Sequence, residues 1–281
     1  ELTKTIEKPI DRFKVLVTGK DKAGDFYRKN FASMFQYCSN RIPEITDAFY
    51  KIDDAMKAGF GWENGPFEIW DAIGIEKGIE LMKAEGFQPA SWATDMLASG
   101  NTSFYSIKDG ATHFYSITNK KVEKIPGQDA FIILNNIRES KKIWNNSDAI
   151  ITDLGDGIIN LEFTSKMNSI GAGVLQGINK AIDIAEKDYN GLVIGNQGAN
   201  FSVGANLGMI FMMAVEQEYD ELNMAIKMFQ DTMMRCRYSA IPVIAAPHGM
   251  TLGGGCELTM HADRAVAAAE TYIGLVEFGV G

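Results

Sequence analysis

The 281-residue chain is predicted to be α/β, with a helical N-terminal portion, a small β connector and a C-terminal unit of alternating strands and helices. Three observations predict it. Apolar residues recur at helical spacing over 22–96, short aromatic alternations flank a turn within 100–126, and brief apolar strands alternate with longer amphipathic runs from about 128. The expected domains are 1–96 (helical), 97–127 (β-hairpin connector) and 128–281 (α/β).

In the first domain, Phe31, Met34, Phe35 and Cys38 lie at i, i+3, i+4 and i+7 and form one apolar helix face. Ile52-Asp53-Asp54-Ala55-Met56 starts another helix. Gly59-Phe60-Gly61-Trp62 and Asn64-Gly65-Pro66-Phe67 are breakers with aromatics between them, and 68–74, with Trp70, resumes the helical pattern. Ser103-Phe104-Tyr105-Ser106-Ile107 and His113-Phe114-Tyr115-Ser116-Ile117 flank Lys108-Asp109-Gly110, a hairpin signature. Pro126-Gly127 closes it.

Beyond the connector, 149–152 and 157–163 read as paired strands around Gly155-Asp156-Gly157. An amphipathic helix over 173–185, a buried strand over 191–195, a long helix over 218–237 and a second apolar strand over 242–246 follow. No internal repeat or low-complexity tract stands out.

Composition narrows the function classes. A formal net charge of −9 argues against nucleic acid held through phosphate contacts, which would leave a basic footprint. A polyanionic small ligand needs only a few local cations and stays open. No apolar run approaches the roughly 18 residues of a membrane span, and the N-terminus has no secretory pattern. Cys38, Cys236 and Cys256 are far apart with no CxxC spacing, so neither a disulfide framework nor a zinc site is expected, and a cytoplasmic location is. The chain opens with Glu1 and stops at Phe278-Gly279-Val280-Gly281 with no closing helix, so both ends are expected to be cuts in a longer polypeptide.

Two glycine-rich segments each follow a predicted buried strand. One is Asn200-Phe201-Ser202-Val203-Gly204-Ala205-Asn206-Leu207 and the other His248-Gly249-Met250-Thr251-Leu252-Gly253-Gly254-Gly255-Cys256-Glu257-Leu258. Glycines at strand ends let backbone approach a ligand and turn N–H groups outward. Alone, each is a tight turn; side by side, two could aim donors at one oxygen.

Together with Lys166-Met167-Asn168-Ser169-Ile170, these segments resemble the enoyl-CoA hydratase/isomerase (crotonase) superfamily over about 148–281. The resemblance implies stacked β-β-α turns, here incomplete at the C-terminus, homo-oligomeric assembly, and an enolate of a coenzyme A thioester held by two backbone N–H groups. Carried onto this sequence, the donors are Ala205 and Gly254, with Gly204, Asn206, Leu207 and Gly253 lining the substrate. The family commonly has Asp where this chain has Asn206, which leaves the main-chain donor standing and removes a charge at the pocket edge. Glu257 and Glu277 stand where hydrating members carry their two glutamates; members that only shift a double bond usually keep the second alone. Water addition needs a base for the water and an acid for C2, and paired carboxyls in unequal environments can divide those roles. Glu257 is assigned to the water and Glu277 to the C2 proton, against the plainer reading of a first-turn helix residue and a surface charge.

His248 and His261 have no partners at metal-ligand spacing and read as packing or surface groups. There is no G-x-S-x-G elbow for a serine nucleophile. Cys256 reads as buried filler, and the methionines over 209–234 as a helical core face in preference to an acyl pocket wall.

Ile52-Asp53-Asp54-Ala55-Met56, Gly59-Phe60-Gly61-Trp62 and Gly65-Pro66-Phe67-Glu68-Ile69-Trp70 resemble the C-terminal helical domain of 3-hydroxyacyl-CoA dehydrogenases. The order implies a bifunctional β-oxidation enzyme with the dehydrogenase first. No G-x-G-x-x-G follows a strand here, so NAD is expected only in a missing upstream domain and no cofactor in this chain. The rival readings are an enoyl-CoA isomerase and a catalytically silent acyl-CoA-binding or scaffold piece.

Overall fold

The computed structural model describes residues 3–6 and 8–279, the Phe278 side chain aside, and divides into two units, Glu1–Phe131 and Ile132–Gly281. How the chain closes after residue 279 lies outside the described residues.

Among its described residues the first unit holds six α-helices: α1 Pro9–Leu16, α2 Lys22–Asn40, α3 Tyr50–Phe60, α4 Pro66–Ile73, α5 Ile75–Ala84 and α6 Ser91–Ala98. The predicted stripe on α2 meets the core, with Phe35 stacked on Trp70 at 5.0 Å between ring centroids. The hairpin forms as β1 Tyr105–Lys108 and β2 Ala111–Ser116 around a two-residue Asp109-Gly110 turn, both with positive φ (52° and 74°), the twist such a hairpin requires. A third strand, β3 Lys121–Lys124, extends it antiparallel. The sheet does not stand apart as a connector. Phe104, Phe114 and Tyr115 lie in the same buried cluster as Phe35, Phe67 and Trp70. Asp71 of α4 also accepts the Phe104 N–H (2.7 Å) and Tyr105 N–H (3.1 Å).

Asp53 anchors this unit. A helix start leaves amides without acceptors, and Asp53, on α3, accepts the Phe67 (2.8 Å) and Glu68 (3.0 Å) amides at the start of α4 and the Tyr105 hydroxyl (2.7 Å). Burial pushes its carboxyl up to about 7, against those three hydrogen bonds. A folded pKa above the unfolded one contributes stability present below about pH 4 and lost as pH rises through about 7. Hydrogen exchange at the α4 amides should therefore accelerate between about pH 4 and 7 beyond the intrinsic base catalysis, and level off above that. Asp53→Asn should flatten that excess while destabilising the unit by about 1–3 kcal/mol, because an amide NH₂ replaces one acceptor oxygen.

The second unit contains α7 Leu134–Lys141, β4 Lys142–Asn145, β5 Ala149–Gly155, β6 Ile158–Phe163, α8 Ala172–Asp188, β7 Gly191–Ile194, α9 Leu207–Val215, α10 Tyr219–Arg237, β8 Val243–Ala245, β9 Met250–Leu252, α11 Gly254–His261, β10 Arg264–Ala265 and β11 Tyr272–Gly274. Six strands form a sheet in the order β10-β8-β7-β6-β5-β4. It is antiparallel from β4 to β6 and parallel from β6 to β10. Branched residues at alternate positions of β5 and β6, among them Ile151, Ile159 and Leu161, are buried with Val174, Ile178 and Ile182 of α8. Each such side chain contributes roughly 1.5–3 kcal/mol on burial.

The fold is α/β, as predicted, and the parallel half shows a repeated step. After each parallel strand the chain crosses to a second, shorter layer. Ile170 follows β6 and bridges Ala205; Ser202 follows β7 and bridges Thr251; β9 follows β8 and pairs in parallel with β11, which follows β10. Helices α8, α9–α10 and α11 come after the first three crossings. Stacked β-β-α turns result.

One expectation fails. The methionines over 209–234 are not a core face: Met209, Met212, Met224, Met228 and Met234 are exposed, and Met233 is buried. Helix α9 buries none of its residues, although its sequence, LGMIFMMAV, is almost wholly apolar. Composition reports what a helix could bury, and neighbours decide whether it does. Among the described residues no helix is long and apolar enough to cross a membrane.

Candidate active site

The two glycine bends lie against each other. Gly204 has φ +89°, and a methyl placed on it would sit 2.8 Å from the Leu252 carbonyl oxygen and 2.9 Å from the Gly254 nitrogen. A methyl on Gly254 would sit 3.5 Å from the Ala205 nitrogen. Only residues without a side chain permit this approach.

Both candidate donors are aimed by planar trans peptides, in which an N–H points opposite to the carbonyl of the preceding residue. The Gly204 carbonyl is held by the Ile170 N–H at 2.8 Å, which directs the Ala205 N–H the other way. The Gly253 carbonyl accepts from the Glu257 N–H at 2.9 Å, inside the first turn of α11, so the Gly254 N–H points out of that helix's N-terminus. Among the described residues, no acceptor takes a hydrogen bond from either amide. The α11 dipole adds positive potential on the same side.

The Glu277 carboxylate sits beside the second bend, and Glu257 lies in the first turn of α11. A methyl on Gly253 (φ +49°) would lie 2.8 Å from Glu277 Oε1, which places the Glu277 carboxylate against the second bend. Glu277 is exposed, in a 3₁₀ turn over Glu277–Gly279 that follows β11, and Glu257 is half-buried one residue after Cys256. Burial raises the Cys256 thiol, and the charges of Glu257 and Glu277 both raise it further. Among the described residues, neither carboxylate holds a hydrogen bond or an ion pair. The acids are thus free of structural duties, in environments of unequal exposure.

The remaining predicted residues divide. Gly204 and Gly253 are in the bends. Asn206 is exposed, and its Oδ1 accepts from the Met209 N–H at 3.3 Å as the N-cap of α9, a role Asn fills as well as Asp. Leu207, 66% exposed, opens α9 and leaves its side chain in solvent. His248 Nε2 meets the Gly198 carbonyl at 2.8 Å and His261 Nδ1 the Glu257 carbonyl at 2.7 Å, so both secure backbone beside the site. Cys256 is buried. Among the described residues, no group of three His, Cys, Asp or Glu could hold a metal ion.

Sequence reasoning passed over Phe229. Its ring edge, from α10, lies 2.7 Å from where a Gly254 methyl would be, so it walls the space beside the donor pair. No local signal marks it, because Phe229 sits on a helix rich in other apolar residues.

A family described as enoyl-CoA hydratase/isomerase matches residues 154–281. The matched residues fall within the second unit, Ile132–Gly281. The whole chain is 45% identical over 271 residues, 96% of its length, to a Bacillus subtilis protein named "Probable 3-hydroxyacyl-CoA dehydrogenase". It is 29% identical over 258 residues, 92% of its length, to a Rickettsia felis protein named "Putative fatty acid oxidation complex trifunctional enzyme". The chain spans about a third of the length of these curated relatives, 34% and 33%. Among solved structures, human enoyl Coenzyme A hydratase domain-containing protein 3 is 27% identical, with 48% of this chain and 53% of that chain covered and a TM-score of 0.44. The crotonase-type match includes both bends and both glutamates.

Proposed function

We propose that the crotonase-type domain hydrates 2-trans-enoyl-CoA thioesters to 3-hydroxyacyl-CoA. The observation that carries this reading is the adjacent pair of amides, Ala205 and Gly254, aimed by pinned carbonyls and free of acceptors among the described residues. A thioester oxygen seated between them gains negative charge as water attacks C3, and fixed donors stabilise that charge without reorganising. Glu257 takes the proton of the attacking water, Glu277 delivers one to C2, and proton exchange with solvent returns Glu257 to carboxylate and Glu277 to acid, so that the elements of water end on the two carbons. Coenzyme A enters as part of the substrate and no further cofactor is assigned to this chain. The names and lengths of the relatives support a larger fatty-acid oxidation protein, and NAD is assigned to a part of it outside this chain.

The test is product analysis with crotonyl-CoA in H₂¹⁸O. Loss of the conjugated thioester absorbance with one ¹⁸O at C3 is the expected result. A double bond moved without oxygen incorporation would point to an isomerase, and binding without turnover to a silent acyl-CoA carrier. Either outcome overturns the hydratase reading.

A further inference from the structure

We infer that Ser202 is a positioning residue that sets the Ala205 and Gly254 amides relative to each other, an inference that rests on the reading of these amides as a donor pair. Ser202 is fully buried although polar. Its Oγ accepts the buried Gly204 N–H at 3.1 Å, immediately before the first donor. Its backbone bonds the strand that leads into the second bend: the Ser202 N–H donates to the Met250 carbonyl (3.2 Å), and its carbonyl accepts from the Leu252 N–H (2.9 Å). On its other side it touches the residue just after the second donor. A methyl on Gly255 would lie 2.9 Å from Ser202 Cβ, 2.9 Å from its carbonyl oxygen and 3.3 Å from its Oγ. One side chain therefore meets Gly204 and Gly255, the inner neighbours of the two donors.

This arrangement has a consequence for the peptide planes. The Ile170 N–H holds the Gly204 carbonyl from one side, and Ser202 Oγ holds the Gly204 N–H from the other. With both ends of Gly204 tied, the left-handed φ of that residue is fixed, and so is the direction of the Ala205 N–H. Removing the oxygen leaves the Gly204 N–H buried without an acceptor, so that plane rotates to find one. Because the same side chain seats Gly255, the second bend shifts with it. Shape alone would be served as well by Ala, and the hydroxyl is what ties the bends.

The experiment compares the full chain with Ser202→Ala and Ser202→Cys, the latter keeping a weaker sulfur acceptor. Steady-state hydration of crotonyl-CoA should show kcat lowered about tenfold in Ser202→Ala with KM changed by about twofold or less. Affinity for an enolisable 3-oxoacyl-CoA, which places charge on the thioester oxygen, should fall about tenfold, while affinity for saturated butyryl-CoA holds. Ser202→Cys should lie between, and it carries the comparison if the alanine variant does not fold. A packing role would move KM and both affinities together and would overturn the inference. Backbone NMR separates this from failure of the hydratase reading. If the unaltered chain turns over no thioester, that reading falls, and the positioning role is decided by whether the Ala205 and Gly254 amide resonances shift together in the variants. Resonances that stay in place overturn it.

Discussion

Gly204→Ala lowers kcat for enoyl-CoA hydration by about 10²–10³-fold, the loss expected when one oxyanion donor is displaced. The new methyl meets two atoms that cannot retreat: the Leu252 carbonyl oxygen at 2.8 Å and the Gly254 nitrogen at 2.9 Å, both main chain. The second of these is itself a donor of the proposed pair, so the clash moves the chemistry as well as the fold. A φ of +89° adds strain for any residue with a Cβ, about 1–2 kcal/mol. The chain should still fold, with a lowered unfolding midpoint, because the sheet core formed by β5, β6 and α8 is untouched. Steady-state kinetics beside thermal unfolding checks both parts. A variant with full kcat and a lowered midpoint would mean that the bends are structural only.

Glu257→Gln and Glu277→Gln each lower kcat by about 10²–10⁴-fold with little change in KM or in stability. Glutamine keeps the shape and removes the proton-transfer capacity. Since neither carboxylate holds a hydrogen bond or ion pair among the described residues, their removal should cost the fold no more than about 0.5 kcal/mol. Inactivation without destabilisation is the expected signature. The double variant should lose about as much as the worse single one, because both acids act on one addition step. A Glu277→Gln enzyme with full hydration rate would remove this exposed residue from the mechanism and leave Glu257 with both proton transfers.

Several elements were readable because a short-range rule governs them. The hairpin followed from alternation around Asp109-Gly110, and the α2 stripe from the spacing of Phe31, Met34, Phe35 and Cys38. Helix α1 and strand β3 are elements the sequence pattern does not predict. Pro9 at the first position of α1 was a usable start signal, whereas Lys121-Val122-Glu123-Lys124 carries three charges in four residues and is a strand because β2 offers it an edge. The stacked β-β-α turns went unseen as a repeat because their loops differ in length and residue type. The pattern is one of backbone crossings. Helix α9 shows the opposite failure: its residues look like core and lie on the surface.

What the sequence determined by itself was a chemical vocabulary: two glycine bends after buried strands, and two glutamates at a spacing familiar from one family. The fold brings the two bends into contact and sets Glu277 against the second of them. The parallel pairing of β7 with β8, Ile194 beside Ala245, carries the segments that follow both strands out on the same side of the sheet. Gly204 and Gly254, remote along the chain, come into contact there because parallel neighbours end together. Pairing between distant strands obeys no local pattern, so the meeting of the bends was an expectation of the family resemblance alone, and the Ser202 tie between them and the Phe229 wall were beyond sequence reading.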